Sequence, residues 1–504
     1  MTPGPLAMDP HERLRIERVR PPDWVNPAPA ARYNLVVLGG GTAGLVSAAG
    51  AAGLGARVAL VERGLLGGDC LNTGCVPSKA LLASARAAAD ARGAARFGVR
   101  SGGSPGADFG AAMERMRRIR AEIALHDSAA RFRDLGVDVF LGEGRFVARD
   151  AVEVAGARLR FARAVIATGA RPSAPAVPGL ADAGYLSSET VFDLTALPRR
   201  VGILGAGPIG CELAQAFARF GADVVVVERE ERALPAEEPD VGDAVAAALR
   251  ADGVRLELAT RLASVEGVGS ARRLSLEGPG TRPTVEVDAI LVAVGRQPNL
   301  AGRALEAAGI ERDERGGLRV DDRLRTTNRR VYAAGDVVGG PQLTHLADAH
   351  ARLVIRNALF PGRAKASALT IPWCTYTDPE VARVGLDRRS AAAASIETDA
   401  YQTRWDEVDR ARLEGEEDGF VRVLARAGTD EIVGATIIGR HAGESISLVT
   451  LAMDRGIGLA DLAGLVHPYP TRAQALGRIA DAYQRTRLGP GTRAALVRWL
   501  AWRR

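Results

Sequence analysis

The chain has 504 residues, 25% of them charged and 47% apolar, proportions of an ordinary globular protein with room for roughly three domains of ~150 residues. Its net charge of +6 is carried almost wholly by arginine, Lys79 and Lys365 being the only lysines, so the basic balance reads as a compositional bias and not as a nucleic-acid footprint. Four cysteines exclude a disulfide framework, and no stretch approaches the ~18 uninterrupted apolar residues of a membrane span.

Residues 1–32 form a Pro-rich arm without the apolar core of a signal peptide, so a cytoplasmic protein is expected. After it, the apolar run Asn34–Leu38 ends in the turn Gly39-Gly-Gly-Thr-Ala-Gly44. An Ala-rich helical stretch follows, then a second apolar run, Val58–Val61, closed by Glu62. The pattern returns further on: Val201–Leu204 leads into Gly205-Ala-Gly-Pro-Ile-Gly210, a helix, and Val224–Val227 closed by Glu228. In both copies the acid stands 23 positions after the first glycine, which marks an internal repeat. The first glycine (Gly39, Gly205) makes the turn, and the second (Gly41, Gly207) lets backbone approach a pyrophosphate. The third (Gly44, Gly210) packs helix against strand, and the acid holds a ribose hydroxyl. Two such units predict two dinucleotides, for which a flavin and a hydride carrier are the usual pair.

Between the first acid and the second repeat lies Cys70-Leu-Asn-Thr-Gly-Cys75. A regular helix would set residues five apart at ~8–9 Å, whereas a disulfide tolerates no more than ~7 Å between Cα atoms. If the two cysteines pair, the loop is bent, and Gly67, Gly68 and Gly74 supply the freedom. Zinc usually takes four protein ligands and no second pair accompanies this one, so redox chemistry is the preferred reading and no resident metal is expected.

Ala164–Gly169, Ile290–Arg296 and Val331–Asp336 read as strands, with Asp336 at a carboxyl end where α/β ligands bind. The last ~130 residues, from about Ala366, lack Gly-rich signatures. Strand-like pieces there (Phe420–Leu424, Ile432–Ile438) alternate with helical ones, which suggests a separate α+β unit. Cys211 reads as a small buried residue and Cys374 as structural. The tail Arg493–Arg504 is a short basic helix with Leu496, Trp499 and Leu500 on one face, expected to pack on a dimer or, less readily, to rest on an anionic membrane surface.

The segment Gly67-Gly-Asp-Cys-Leu-Asn-Thr-Gly-Cys-Val-Pro-Ser-Lys79 resembles the signature of the pyridine nucleotide-disulfide oxidoreductases, the flavoprotein family of dihydrolipoamide dehydrogenase, glutathione reductase and mercuric reductase. The resemblance runs from about Tyr33 to Leu488. It implies an α/β chain with two Rossmann-like dinucleotide-binding domains and a C-terminal α+β dimerisation domain. The FAD domain would comprise 33–170 and 296–366, the NAD(P) domain 171–295 and the dimerisation domain 367–490, with 491–504 as the tail.

By that resemblance Cys75 is the thiolate lying against the flavin and Cys70 the outer thiol that meets substrate. Lys79 stands near the flavin's reactive edge and pairs with Glu212. Glu62 binds the FAD ribose, Asp336 its sugar chain, and the helix start at Leu343–Ala347, with His345 and Ala347, the flavin ring. Thr168, Gly169, Gly295 and Arg296 join the cofactor-binding set. Glu228 binds the ribose of NADH or NADPH. Its charge repels a 2′-phosphate and favours NADH, although Arg229 and Arg232 lie close in sequence and suit such a phosphate. A homodimer is implied, its active site completed by the partner's C-terminal domain.

The chain departs from its relatives at His467-Pro-Tyr-Pro-Thr-Arg-Ala-Gln474. In the dithiol-handling members a histidine base stands where Tyr469 is, and its carboxylate partner where Gln474 is. Tyrosine, with a pKa of ~10, is ionised to about one part in a thousand at neutral pH. Losing a general base costs roughly 10²–10⁴-fold, so efficient lipoamide or glutathione turnover is not expected unless His467 substitutes. A tyrosine here is similar to mercuric reductase, whose soft metal substrate needs no such proton transfer. The expected acceptor is therefore a thiophilic metal ion, held transiently at Cys70 and Cys75, or another small thiol-reactive compound. Two features differ from that subfamily: no cysteine lies beyond Cys374, and the N-terminal segment is only an arm. Dihydrolipoamide dehydrogenase and a flavin/disulfide redox sensor with little turnover are the alternative readings.

Overall fold

The computed structural model describes residues 9–100 and 106–504, so the first eight residues of the expected arm lie outside the described residues. The chain forms two compact units, one running to Arg229 and resuming at Asp252–Leu369, the other combining Glu230–Ala251 with Thr370–Arg504.

In the first unit α1 (Pro10–Val19) precedes β1 (Tyr33–Leu38), α2 (Thr42–Gly53), β2 (Val58–Glu62), α3 (Gly68–Asn72) and α4 (Cys75–Gly93). Then come α5 (Phe109–Ile123), α6 (Ala129–Asp134), β3 (Val137–Leu141), β4 (Gly144–Ala148), β5 (Ala151–Val154) and β6 (Ala157–Ile166). β7 (Ala170–Pro172) and α7 (Leu180–Ala183) lead to the second repeat: β8 (Arg200–Leu204), α8 (Pro208–Phe220) and β9 (Asp223–Val227). Past α9 (Pro239–Ala251), which belongs to the second unit, follow β10 (Arg255–Glu257), β11 (Arg261–Val268), β12 (Ala271–Glu277), β13 (Thr284–Val287) and β14 (Ala289–Val292). The unit closes with β15 (Arg296–Pro298), β16 (Val331–Ala333) and α10 (Thr344–Leu359).

Among the described residues one sheet runs β3-β2-β1-β6-β5-β4, with β16 also paired to β6, and another runs β10-β9-β8-β14. In both, the strand before the Gly turn is central and parallel to its two neighbours. The apolar runs do not alternate because β1 is buried on both faces. Leu35 and Val37 enter one core with Val58, Leu60 and Val165, while Val36 and Leu38 enter another with Ala59, Val61 and Ile166.

The segment before β1 is more than an arm. Pro10 opens α1, and the Asp9 carboxylate accepts from the His11 and Glu12 amides. Further on, Asn26 exchanges two hydrogen bonds with Leu141 and the Trp24 indole donates to the Val139 carbonyl, covering the otherwise open edge of β3.

The second unit holds α9, β17 (Pro372–Thr375), β18 (Glu380–Gly385), α11 (Arg388–Ala393), β19 (Thr398–Arg404), α12 (Asp409–Leu413), β20 (Phe420–Arg426) and β21 (Ile432–Gly439). It ends with α13 (Ala442–Arg455), α14 (Leu459–Leu462), α15 (Gln474–Arg487) and α16 (Pro490–Trp502). The antiparallel sheet β17-β18-β21-β20-β19 matches the predicted α+β character. Cys374 packs partly buried against this core, and Cys211 in the first unit is fully buried, as expected of Cys211. Every residue of α16 is exposed, Leu496, Trp499 and Leu500 of the expected apolar face included. Among the described residues no helix is long and apolar enough to cross a membrane.

Candidate active site

The bend required of the cysteine loop is present. Gly67 adopts φ 89° and starts α3, which carries Cys70 and stops at Asn72. Thr73 and Gly74 interrupt the helix, and α4 begins at Cys75 itself. Cys75 thus occupies the positive end of a 19-residue helix. Both cysteines are free thiols, Cys75 exposed and Cys70 half-buried. Cys70 donates a hydrogen bond to Cys75, which is the main reason the Cys75 thiol is lowered to about 6. Burial opposes this, while Thr344 and the Lys79 charge reinforce it. The Cys70 thiol is pushed well above its ordinary range by the same hydrogen bond and by burial. At pH 7 Cys75 is therefore mostly thiolate, where a free cysteine is only ~3% so.

Thr344, the first residue of α10, places its Oγ1 3.2 Å from the Cys75 Sγ. One turn along α4, Lys79 Nζ lies 2.8 Å from Oε2 of Glu212, which α8 presents from a nearly buried position. The sequence reading anticipated Lys79 beside Glu212 but missed Thr344. A hydroxyl residue opening a helix that carries His345 and Ala347 was the available signal.

The two Gly turns match each other down to single hydrogen bonds. Glu62 Oε2 accepts from the Gly40 amide at 2.5 Å and Glu228 Oε2 from the Ala206 amide at 2.7 Å, both 22 residues back. A Cβ on Gly44 would run into the Gly39 carbonyl oxygen, and one on Gly210 into that of Gly205. Among the described residues the second glycines face open space: nothing lies within 4 Å of a Cβ on Gly207, and only the Gly68 Cα, at 3.6 Å, near one on Gly41. Close packing at the first and third positions with room at the second is the cradle a pyrophosphate fits.

Around the first turn, Thr168 and Asn299 exchange hydrogen bonds, Gly169 has φ 66° and Gly295 φ 129°. Arg296 binds the carboxylate of Asp69, which precedes Cys70, and stands 4.0 Å from Asp336. Burial raises the Asp336 carboxyl above its usual range, Arg296 opposing. Ala347 packs on Gly335, whose Cβ would come within 3.3 Å of it, so the start of α10 is seated on the turn that presents Asp336.

In the second unit Tyr469 is exposed, its hydroxyl donating to Asp409 at 3.2 Å. That hydrogen bond and the charge behind it raise the phenol above its ordinary value, further from the range of a base. Among the described residues the His467 Nε2 is buried without a hydrogen-bond partner, its ring next to Gly477. Gln474 begins α15.

These features define a two-dinucleotide flavoprotein class with a thiolate–thiol pair at the head of a helix. Residues 33–351 match the family model described as pyridine nucleotide-disulphide oxidoreductase, and 371–480 match the dimerisation domain of that family. The chain belongs to the pyridine nucleotide-disulphide oxidoreductases, whose members bind FAD and a pyridine nucleotide. It is 34% identical to a mercuric reductase of Bacillus cereus over 444 residues, 88% of this chain and 70% of that one. It is 33% identical to a dihydrolipoyl dehydrogenase of Chlamydia muridarum over 447 residues, 88% and 95% of the two chains. Among solved structures, the Cu(II) complex of the HOCl-induced flavoprotein disulfide reductase RclA from Escherichia coli superposes with a TM-score of 0.80 at 28% identity, covering 90% of this chain and all of that one.

Proposed function

We propose that the protein is a cytoplasmic, homodimeric FAD enzyme that uses NADH in preference to NADPH to reduce a thiophilic metal ion or a related thiol-reactive acceptor through Cys70 and Cys75. A flavin held by the first Gly turn and Glu62 would supply two-electron transfer between the reduced nicotinamide and the cysteine pair. Opening a Cys70–Cys75 disulfide with two electrons and one proton leaves a Cys75 thiolate and a Cys70 thiol. A Cys75 thiol held low and a Cys70 thiol pushed up support that distribution of the proton. Lys79 holds positive charge beside the thiolate, and Glu212 holds Lys79 in place. Two adjacent sulfurs suit a soft cation.

The observation that carries the metal reading is Tyr469 in place of a base, with its phenol pinned to Asp409 and raised. A dithiol substrate needs a base to take its proton and a disulfide needs a proton delivered to its leaving thiolate; a soft cation, which displaces the Cys70 proton to solvent as it binds, needs neither. Preference for NADH is supported by the Glu228 carboxylate and by Arg232, which is committed to Asp243 at 2.7 Å.

Anaerobic titration with NADH and NADPH, followed by mercuric ion, cupric ion, lipoamide and disulfides, tests the proposal. Rapid reoxidation by a metal ion supports it. Lipoamide turnover at rates typical of the family overturns it in favour of dihydrolipoamide dehydrogenase. A reducible pair with background turnover of every acceptor identifies a sensor instead. A long-wavelength thiolate–flavin band that persists in Cys75→Ser would overturn the assignment of Cys75.

A further inference from the structure

The N-terminal segment lies outside the stretch matched by the family models, yet it grips the redox loop. The Leu66 amide donates to the Val19 carbonyl, and Arg20 donates to the carbonyls of Arg63 and Gly64 at 2.8 and 2.6 Å. The densest contact is at Asn72, midway between the two cysteines. Its side-chain oxygen accepts from Arg15 of α1, and its carbonyl accepts from Arg120 of α5 at 2.6 Å. Both guanidinium groups are held by the carboxylate of Glu12. Glu12, Arg15, Asn72 and Arg120 are each at least nine-tenths buried. Asp9, Arg117 and Asp193 complete the charged surroundings.

With its oxygen occupied, the Asn72 amide donates to the carbonyls of Leu66 and Gly68 at 3.0 and 2.8 Å, tying the end of α3 back to its beginning. α3 carries Cys70 and only Thr73 and Gly74 separate it from Cys75, so the orientation of α3 sets how one sulfur meets the other. A guanidinium at the last carbonyls of a five-residue helix satisfies groups that have no partner inside it.

We propose that Arg15, anchored by Glu12, is a positioning residue of the redox centre: acting through Asn72, the added N-terminal helix fixes α3 and with it the position of Cys70 relative to Cys75. The proposal rests on the reading of Cys70 and Cys75 as the redox pair. Arg15 touches neither sulfur, and its whole effect passes through Asn72.

The test uses the full-length holoenzyme, chemically reduced under anaerobic conditions, with Arg15→Met, Asn72→Ala and the double variant. The readout is the pH profile of Cys75 alkylation by iodoacetamide, resolved by peptide mass. Each single variant is expected to move the profile upward by roughly one pH unit, as the loss of a hydrogen bond to the charged form does. The double variant is expected to move it no further than Asn72→Ala alone, because two residues acting in series do not add. Arg15→Lys, which keeps the charge but not the fork that reaches both Glu12 and Asn72, is expected to fall between the parent and Arg15→Met. A parental profile in Arg15→Met, with only its melting temperature lowered, overturns the proposal, and so do shifts that add in the double variant. If Arg15→Met does not fold, the Arg15→Lys profile decides. Chemical reduction keeps this result separate from the redox reading, which fails instead if NADH and NADPH leave the parent pair oxidised.

Discussion

Lys79 and Glu212 form an ion pair 2.8 Å long although they stand 133 positions apart in sequence. The pair is asymmetric, with a third of the Lys79 side chain exposed and only 6% of Glu212. Lys79 lowers the Cys75 thiol and Glu212 raises it. Lys79→Met removes the first influence and leaves the second uncompensated, so the Cys75 thiol is expected to titrate about one unit higher. Glu212→Gln is expected to move it slightly the other way. Thiolate ultraviolet absorbance of the reduced protein against pH measures both, and equal profiles would show that the ion pair has no hold on the sulfur.

The hydrogen bond from Cys70 is the largest influence lowering Cys75. Cys70→Ala removes it, so Cys75 is expected to rise from about 6 toward the ordinary ~8.5 and to alkylate at pH 7 only about two- to three-fold more slowly, the lost thiolate being mostly offset by greater nucleophilicity. Alkylation kinetics decide it.

Tyr469→His with Gln474→Glu is expected to supply the missing base dyad and to raise lipoamide-dependent kcat by about 10²-fold. Metal-ion reduction should not gain. If lipoamide turnover is unchanged by the double substitution, the absence of a base is not what turns the pair from dithiols.

Burial opposes ionisation of Glu12, but Arg120 and Arg15 outweigh it and hold the carboxyl below its usual range. A carboxyl lowered in the folded state stabilises above its unfolded pKa of ~4.3, and that contribution disappears as pH falls through the folded value. Glu12→Gln is therefore expected to cost about 3 kcal/mol at pH 7, the scale of a broken buried ion pair. The deficit should shrink in acid below pH ~4. Urea unfolding at both pH values measures it, and a deficit independent of pH would assign the loss to packing.

The elements most legible in the sequence are those whose physics is local. Gly39–Glu62 and Gly205–Glu228 announce strand, turn and helix by glycine spacing alone, and the structure repeats them down to the Glu62–Gly40 and Glu228–Ala206 hydrogen bonds. The bend at Thr73–Gly74 followed from the geometry of a disulfide set against that of a helix. Thr344 is legible as a hydroxyl opening a helix but not as a partner of Cys75, because that contact spans 269 residues and no spacing rule reaches that far. α1 was missed for a different reason. Its buried positions are Glu12, Arg15 and Val19, so a charged network takes the place of the apolar stripe by which buried helices are recognised.

β1 is a wall shared by two interiors, with Leu35 and Val37 on one side and Val36 and Leu38 on the other. A slip of one residue would send every side chain to the opposite side at once, and the same shift would carry Gly39 out of the turn. Foldability and nucleotide geometry are thus fixed by one register. A single-residue insertion before Gly39 should abolish both together, whereas exchanges among apolar residues within the strand leave the turn where it is.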